Sequence, residues 1–298
     1  MAALQTTNDK NTRAEERQEL QRRLQAQMQL VRFKVVVLSG KAGVGKSTVA
    51  ANLAVVLADQ GHTVGLLDVD IHGPSIPKLL GITGEKITPC GGRMLPVHAR
   101  ERLWVISAAF LMKSTDAVIW RGPLKFHLIQ QFLSDVAWGA LDFLVIDSPP
   151  GTGDEPLSVA QLVGRPAAAV MVTTPQDVAV NDVRRCVTFC RETDLPVAGI
   201  VENTSGYVCP QCGSKAEIFG SGGGRRLADE MKVPFLGQIP LDAQIVSSGD
   251  GGVAFVSADA KSASRTAFIR IVNEVEAFTQ QQLTPVGDKA VQEPASAK

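Results

Sequence analysis

One stretch near the start of the chain constrains its fold more than any other. The unbroken apolar run Val35–Leu38 leads directly into the pattern Gly40-x-x-x-x-Gly45-Lys46-Ser47, and a helical pattern follows over Val49–Ala58. An apolar run without polar alternation is typical of a parallel strand that is buried on both faces. A strand, a glycine loop and a helix in this order predict an α/β fold, with a doubly wound, mostly parallel sheet and helices on both faces.

The residue types of this loop predict that it binds the phosphates of ATP rather than forming a simple turn. Glycine allows backbone angles and a close approach that a Cβ would block. Loop N–H groups, together with the positive end of the following helix, surround a phosphate. The Lys46 ammonium is expected to neutralise the β- and γ-phosphates, and the Ser47 hydroxyl to ligate Mg²⁺. The residues expected to contact the nucleotide here are Gly40, Lys41, Ala42, Gly43, Val44, Gly45, Lys46, Ser47 and Thr48.

Two carboxylates lie at the end of the second predicted strand, Thr63–Asp68. In an open α/β sheet, the carboxyl ends of the parallel strands border the ligand crevice. We therefore expect Asp70 to position or activate the attacking water, and Asp68 to help hold the metal shell. The alternative for either residue is that it only caps the following turn.

A further apolar strand, Leu141–Asp147, also ends in a carboxylate. This arrangement predicts that Asp147 holds Mg²⁺ through water. The loop that follows contains Gly151, whose N–H is expected to contact the γ-phosphate and to respond to its loss. Asn203 carries an amide suited to the donor and acceptor edge of adenine. The loop after the last strand, which includes Pro240 and Asp242, is expected to cover the base.

The second chemical feature is a pair of cysteines, Cys209 and Cys212, within the stretch Tyr207–Gly213, here called the cysteine knuckle. Two intervening residues allow both sulfurs to face one metal. A soft tetrahedral site takes four thiolates, so either another cysteine completes the set or two chains supply two each at a two-fold axis. Zn²⁺ and an iron–sulfur cluster both accept four cysteines. The remaining cysteines are Cys90, which is expected to be inert, and Cys186 and Cys190, which are expected to be buried in a helix.

The composition limits the partners of the chain. Its 30 basic and 30 acidic residues cancel, so no overall field attracts nucleic acid or an anionic membrane. Five cysteines in 298 residues do not resemble a disulfide framework. No signal core and no apolar stretch long enough to span a bilayer is found in the sequence. We therefore expect a cytoplasmic protein that binds neither nucleic acid nor membrane.

Three regions are expected along the chain. Residues 1–32 form a polar segment and a helix from Thr12 to Leu30, residues 33–283 form one nucleotide-binding domain that includes the cysteine knuckle, and residues 284–298 form a disordered tail. Leucines and a methionine at four-residue spacing give the N-terminal helix one apolar face, which is expected to pack on its own domain. An arm that docks on a partner is the alternative. The residues on this face are Leu20, Leu24 and Met28.

Together these motifs resemble the Mrp/ApbC-type (Mrp/NBP) ATPases, which belong with MinD and ParA to the deviant Walker A (SIMIBI) class. The mark of this class is a lysine after the first loop glycine, Lys41, and one departure is Ala42, which stands where glycine is usual. The likeness covers roughly residues 34–278. It includes the stretches Asp70–Pro77, Trp120–Pro123, Ile218–Gly220 and Gly237–Asp242.

The resemblance implies a homodimer that bridges a labile [4Fe–4S] cluster through Cys209 and Cys212 of each chain and passes it to apo iron–sulfur client proteins. It also implies slow ATP hydrolysis coupled to loading or release, with Lys41, Lys46 and Asp70 as the catalytic residues and Lys41 reaching the nucleotide of the other subunit. Because the chain lacks the N-terminal four-cysteine cluster of one eukaryotic branch, the likeness is to the short prokaryotic form. A zinc-stapled regulatory or positioning ATPase of the MinD/ParA kind is the alternative.

Overall fold

A computed structural model describes residues 2–111, 122–209, 211–257 and 262–283. The expectations for Trp120 and for the tail after residue 283 fall outside these ranges. Within the described residues, the fold is built on one eight-stranded sheet and two short two-stranded hairpins. The strands are β1 (Val31–Ser39), β2 (Val64–Asp68), β3 (Thr88–Cys90), β4 (Arg93–Leu95), β5 (Val97–Arg100), β6 (Leu103–Ser107), β7 (Leu141–Asp147), β8 (Ala167–Thr173), β9 (Val197–Glu202), β10 (Tyr207–Val208), β11 (Lys215–Ala216) and β12 (Phe235–Gln238).

The main sheet has the order β12-β9-β8-β1-β7-β2-β6-β5, and every neighbouring pair is parallel except β5 and β6. The predicted doubly wound, mostly parallel sheet is therefore confirmed. Strand β1 lies at its centre, between β7 and β8. This position places the loop after β1 in the middle of the carboxyl edge, where ligands bind in open α/β sheets.

Helices cover both faces of the sheet. Side chains of β1 alternate between two cores, with Val35 and Val37 in one and Val36 and Leu38 in the other. This double burial explains why the strand has no polar alternation. The helices are α1 (Ala2–Gln29), α2 (Lys46–Asp59), α3 (Ile76–Leu79), α4 (Gly122–Ser134), α5 (Asp154–Leu162), α6 (Asp177–Glu192), α7 (Gly223–Met231), α8 (Ala243–Asp250) and α9 (Ala263–Leu283).

The N-terminal helix packs on its own chain. Leu24 and Met28 are buried in the core that α4 and α5 share, and Arg23 forms an ion pair of 3.0 Å with Asp135 at the end of α4. The helix begins at Ala2, so the expectation that it starts near Thr12 is wrong. No helix of the described residues combines the length and the apolar character needed to cross a membrane.

The region between β2 and β6 adds two further strand arrangements. It contains the exposed hairpin β3–β4 and the edge strand β5, which runs antiparallel to β6. These strands are three or four residues long. Such short segments carry too few residues to show a hydrophobic period.

Candidate functional site

The predicted phosphate loop joins β1 to α2 and is shaped by its glycines. A Cβ on Gly40 would lie 2.4 Å from the backbone carbon of Asp182 in α6, so only glycine allows this close approach. Gly43 and Gly45 have φ values of 80° and 86°, in the left-handed region that favours glycine. Ala42 is exposed and is not among the residues with positive φ. Its methyl group therefore adds no backbone strain to the loop.

Lys46 lies at the start of α2 and is surrounded by acidic and polar groups. Its ammonium is 2.6 Å from Oδ1 of Asp147 and 3.7 Å from Oδ2 of Asp70. It also donates a hydrogen bond of 3.2 Å to the hydroxyl of Ser47. The side chain is only 6% exposed, so this positive charge is held in a largely dry crevice. The structure thus brings together four residues that the sequence predicted for one site.

Asp68 and Asp147 are fully buried and lie side by side on β2 and β7. Burial raises the pKa of Asp147, while the nearby Lys46 ammonium opposes this change. Burial, and then the negative charge of Asp147, raise the pKa of Asp68 well above its ordinary value. A cation at this position would favour the ionised form of both groups.

One oxygen of this pair is free to bind a metal. Oδ2 of Asp147 is buried and has no hydrogen-bond partner within the described residues. An unpaired buried carboxylate oxygen beside the Ser47 hydroxyl fits Mg²⁺, which prefers oxygen ligands. Both oxygens of Asp68, in contrast, accept hydrogen bonds from the protein. The donors are the backbone N–H groups of Asp70 and Ile76 and the hydroxyl of Ser107.

Three other predicted nucleotide contacts have different surroundings. The N–H of Gly151 donates a hydrogen bond of 2.7 Å to the carbonyl of Ser39, so a contact with the γ-phosphate requires this loop to move. The Lys41 side chain is exposed beside the loop. Asp242 caps α8, where its carboxylate accepts from the N–H of Gln244. The nucleotide roles of these residues stay predictions.

Asn203 lies against the phosphate loop itself. Its amide nitrogen donates a hydrogen bond of 2.9 Å to the carbonyl of Val44, and a Cβ on Gly45 would lie 2.2 Å from the same nitrogen. The amide donor expected to contact adenine is therefore used by the loop in this arrangement. Pro240 follows β12, in the segment that hydrogen-bonds to the chain after Asn203.

The cysteine knuckle is held by the hairpin β10–β11. The N–H of Cys209 donates to the carbonyl of Ser214, and the N–H of Gly213 donates to the carbonyl of Cys209. Cys212 is exposed, and its sulfur lies 3.1 Å from the hydroxyl of Ser214. Hydrogen bonds with Ser214 and with Cys209 lower the pKa of Cys212, which favours the thiolate that binds metal.

The other cysteines do not complete this site. Cys186 and Cys190 are buried in α6, as expected, and burial raises their pKa values to about 11 and about 12. Among the described residues, no group of three or more histidine, cysteine, aspartate or glutamate side chains is arranged to hold a metal. The two-chain arrangement stays a prediction.

Two buried charged residues were missed from the sequence. Glu202 ends β9 with no exposed surface, in the same position relative to its strand as Asp68 and Asp147. That shared position is the signal that would have found it. Lys34 is buried in β1, where its ammonium is 3.5 Å from the carbonyl of Arg165, and burial lowers its pKa to about 8.

A parallel sheet with a phosphate-binding loop after its central strand, and a lysine and an aspartate buried beside it, defines a P-loop nucleotide-binding protein. Residues 30–276 match the family model described as ParA, NUBPL iron-transfer P-loop NTPase. The chain belongs to this family, as the motifs predicted.

Relatives of known name agree with this assignment. The chain is 49% identical over 247 residues to a protein of Trichoplax adhaerens named cytosolic Fe-S cluster assembly factor NUBP2 homolog, a match that covers 81% of this chain and 93% of the relative. It is 46% identical to cytosolic Fe-S cluster assembly factor NUBP2 of Rattus norvegicus, over 82% and 92% of the two chains. Animal proteins are therefore among its relatives, and the likeness is not confined to a prokaryotic form.

Solved structures agree in fold. The nucleotide-binding protein of Archaeoglobus fulgidus, described in complex with ADP and with cobalt, superposes with a TM-score of 0.71 at 40% identity, covering 79% of this chain and 92% of that one. The cell division ATPase MinD of Pyrococcus furiosus superposes with a TM-score of 0.60 at 25% identity, covering 83% and 100%.

Proposed function

We propose that this chain is an ATP-hydrolysing carrier of iron–sulfur clusters, which holds a labile [4Fe–4S] cluster between two copies and passes it to apo-proteins. The observation that carries this proposal is an accessible pair of cysteines with no further ligand among the described residues, in a chain that also has a nucleotide site. The names of the relatives, which are cytosolic Fe-S cluster assembly factors, support it. The same names support a cytoplasmic location.

In this proposal the crevice at the carboxyl edge of β1, β2 and β7 holds the triphosphate. Loop N–H groups and the Lys46 ammonium bind the phosphates, and the Lys46 ammonium leaves its ion pair with Asp147 to do so. Ser47 and Asp147 would hold Mg²⁺, which would supply neutralisation of the charge on the phosphate oxygens. Asn203, Pro240 and Asp242 border the base.

Hydrolysis requires a water in line with the γ-phosphate. Asp70, whose carboxylate lies 3.7 Å from the Lys46 ammonium, orients this water and accepts its proton as the new bond to phosphorus forms. The bond from phosphorus to the bridging oxygen breaks, and ADP leaves with the negative charge on that oxygen. Lys46 of the same chain stabilises this charge together with Lys41 of a second copy. Inorganic phosphate is the other product.

The cluster is the cargo of the carrier. Four thiolates hold a cluster of this type. Cys209 and Cys212 supply two, so a second copy that presents the same pair completes the set at a two-fold axis. Cys212 is exposed and the knuckle lies in a hairpin of two-residue strands, so a client protein is able to reach the ligands. Transfer of the cluster to a client protein requires this access.

Anaerobic reconstitution with iron and sulfide tests the proposal. We expect the wild-type protein to gain broad visible charge-transfer absorption with matching iron and sulfide, and the Cys209→Ala/Cys212→Ala variant to gain neither. Cys90→Ala is the matched control, because it removes an exposed cysteine outside the knuckle, and it is expected to behave as wild type. Tightly bound zinc without this absorption in the wild-type protein would contradict the carrier and favour a zinc-stapled ATPase.

A further inference from the structure

Glu202 is a buried carboxylate that the proposed chemistry does not use. It has no exposed surface, and four donors surround it. Oε1 accepts from the Ser205 hydroxyl at 2.5 Å, from the N–H of Gly222 at 2.8 Å and from the amide of Gln238 at 3.0 Å. Oε2 accepts from the N–H of Gly224. A buried carboxylate with this many donors is fixed in place, because losing any of them leaves an unpaired polar group.

The donors of Glu202 lie at the two ends of one segment. Residues 205–222, here called the knuckle segment, begin at Ser205, contain both metal-binding cysteines and end at Gly222. Glu202 therefore holds the beginning and the end of this segment to a single carboxylate. A Cβ on Gly224 would lie 3.1 Å from Oε2, so the first turn of α7 packs tightly against the carboxylate.

The next residue in the chain holds the phosphate loop. Asn203 donates to the carbonyl of Val44, and its amide nitrogen would be 2.2 Å from a Cβ on Gly45. This contact leaves no free space between the amide and the loop. Glu202 and Asn203 are consecutive residues at the carboxyl end of β9, so one short piece of chain contacts both the knuckle segment and the phosphate loop.

A second connection runs along the segment expected to border the base. The N–H of Ser205 donates to the carbonyl of Ile239, and the N–H of Leu241 donates to the carbonyl of Gly206. The first residues of the knuckle segment are thus hydrogen-bonded to the chain on either side of Pro240. Both connections join the nucleotide site to the same end of the knuckle segment.

We propose that Glu202 is a positioning residue that couples the occupancy of the phosphate loop to the geometry of the cysteine knuckle. This inference rests on the proposed function, since it assigns the coupling between its two sites. A displacement of Val44 and Gly45 when phosphates bind moves the tightly packed Asn203, and with it the carboxylate that holds both ends of the knuckle segment. The coupling is reciprocal, so a bound cluster also changes the affinity for ATP.

The test compares Glu202→Gln with a matched control. Glutamine keeps the shape of the side chain but replaces one carboxylate oxygen by an NH₂ group, so the N–H groups of Gly222 and Gly224 no longer both find an acceptor. The control is Asp142→Asn. Asp142 also accepts a backbone hydrogen bond, at 2.8 Å from the N–H of Thr63, but it lies at the amino end of β7, away from both sites.

The first measurement is the rate at which an iron chelator removes the cluster, with and without Mg-ATP. We expect Mg-ATP to change this rate by about fivefold or more in the wild type and in Asp142→Asn, the range of ordinary coupling between sites. In Glu202→Gln we expect a change of less than about twofold, while its affinity for Mg-ATP stays within about threefold of wild type. A merely structural role would alter stability and leave the nucleotide response intact.

The second measurement needs no cluster. In the metal-free wild-type protein, Mg-ATP is expected to change the hydrogen exchange of backbone amides in residues 205–224 by about fivefold, and this change is expected to disappear in Glu202→Gln. Ser205→Ala removes one of the four donors and is expected to reduce the response, so it provides a milder variant if Glu202→Gln does not fold.

The outcomes separate the two proposals. A wild-type response to Mg-ATP in Glu202→Gln, or unchanged exchange of residues 205–224 in the wild type, would overturn the coupling and leave the carrier standing. Failure of the wild-type protein to take up a cluster would overturn the carrier, and the exchange measurement would still decide the coupling.

Discussion

The nucleotide site and the cysteine knuckle are built in opposite ways. The nucleotide site lies where three central strands end, and its charged groups are buried, as Lys46 at 6% and Asp147 at 0% exposure illustrate. The knuckle lies in a hairpin of two-residue strands, and Cys212 is exposed. The charged groups of the first site are already in place without a ligand, whereas the second site, in the proposed function, is completed by the cysteines of a second copy.

This difference fits the roles proposed for the two sites. Transition-state charge is stabilised best by groups that are already fixed in a dry crevice. Burying ionised groups costs free energy, and for this reason the pKa values of Asp68 and Asp147 are raised. The packing of the central sheet offsets this cost. A cargo site has to open, so weak local structure and accessible sulfurs suit it.

The largest expected effect is a difference in cysteine reactivity. We expect iodoacetamide at pH 7.5 to alkylate Cys209 and Cys212 on the order of a thousandfold faster than Cys186 and Cys190 in the cluster-free protein. The helix cysteines are buried and have pKa values of about 11 and about 12, so thiolate is scarce at that pH. Mass spectrometry of peptides measures the rates. Equal rates for both pairs would mean that Cys186 and Cys190 are not protected by their burial in α6.

Lys46→Met is expected to separate the two sites. Charge-assisted hydrogen bonds are worth about 1.5–3 kcal/mol, so the affinity for Mg-ATP should fall roughly a hundredfold. Without nucleotide, cluster uptake should stay at the wild-type level, because Lys46 contacts Ser47, Asp70 and Asp147 and none of the residues that hold the knuckle. Calorimetric titration measures the affinity.

The control for this prediction is Lys34→Met, which removes another buried lysine of the same region, on β1. It is expected to leave the affinity for Mg-ATP unchanged. Wild-type affinity in Lys46→Met would remove Lys46 from the phosphate site.

Much of the nucleotide site could be predicted from the sequence, because its signals are local. A glycine loop stands between an apolar run and a helix, and strands such as β7 (Leu141–Asp147) end in carboxylates at the predicted residue. The edge strand β5 and the nearby hairpin β3–β4 could not be predicted, because their strands are too short to show a hydrophobic period. The position of Glu202 at a strand end is visible in the sequence, but its contacts with the knuckle segment could not be predicted. Its donors at Gly222 and Gly224 are backbone N–H groups about twenty residues away, and backbone groups leave no mark in a sequence.

Glycine substitutions are expected to lower the free energy of unfolding more in the phosphate loop than in the cysteine knuckle. Gly40→Ala places a methyl group against the backbone of α6, and overpacking of this kind lowers the free energy of unfolding by about 3 kcal/mol. Gly213→Ala in the knuckle meets nothing within 4 Å and has only its positive φ of 71° to overcome, at about 1 kcal/mol. Urea unfolding measures both. Similar losses would show that the phosphate loop is not tightly packed on α6.

The smallest expected effect is a dependence of stability on pH that comes from Lys34. Its pKa is lowered to about 8 in the folded state, and the unfolded value is near 10.4. Between these values the unfolded chain binds a proton that the folded chain does not, so the contribution of Lys34 to stability rises with pH. Lys34→Met should therefore gain stability relative to wild type at pH 7, and this gain should shrink by roughly 1.4 kcal/mol as the pH rises from 7 to 9. A stability difference between Lys34→Met and wild type that does not change with pH would contradict the lowered pKa of Lys34.

The central claim is that one cluster is shared by two copies of this chain, and native mass spectrometry of the reconstituted protein tests it most directly. The account predicts a species with the mass of two chains and one [4Fe–4S] cluster, which corresponds to two irons per chain. Removing the cluster with a chelator, or replacing Cys209 and Cys212 by alanine, should abolish that species. A single chain that carries a complete cluster, or a single chain that carries one zinc ion, would contradict it.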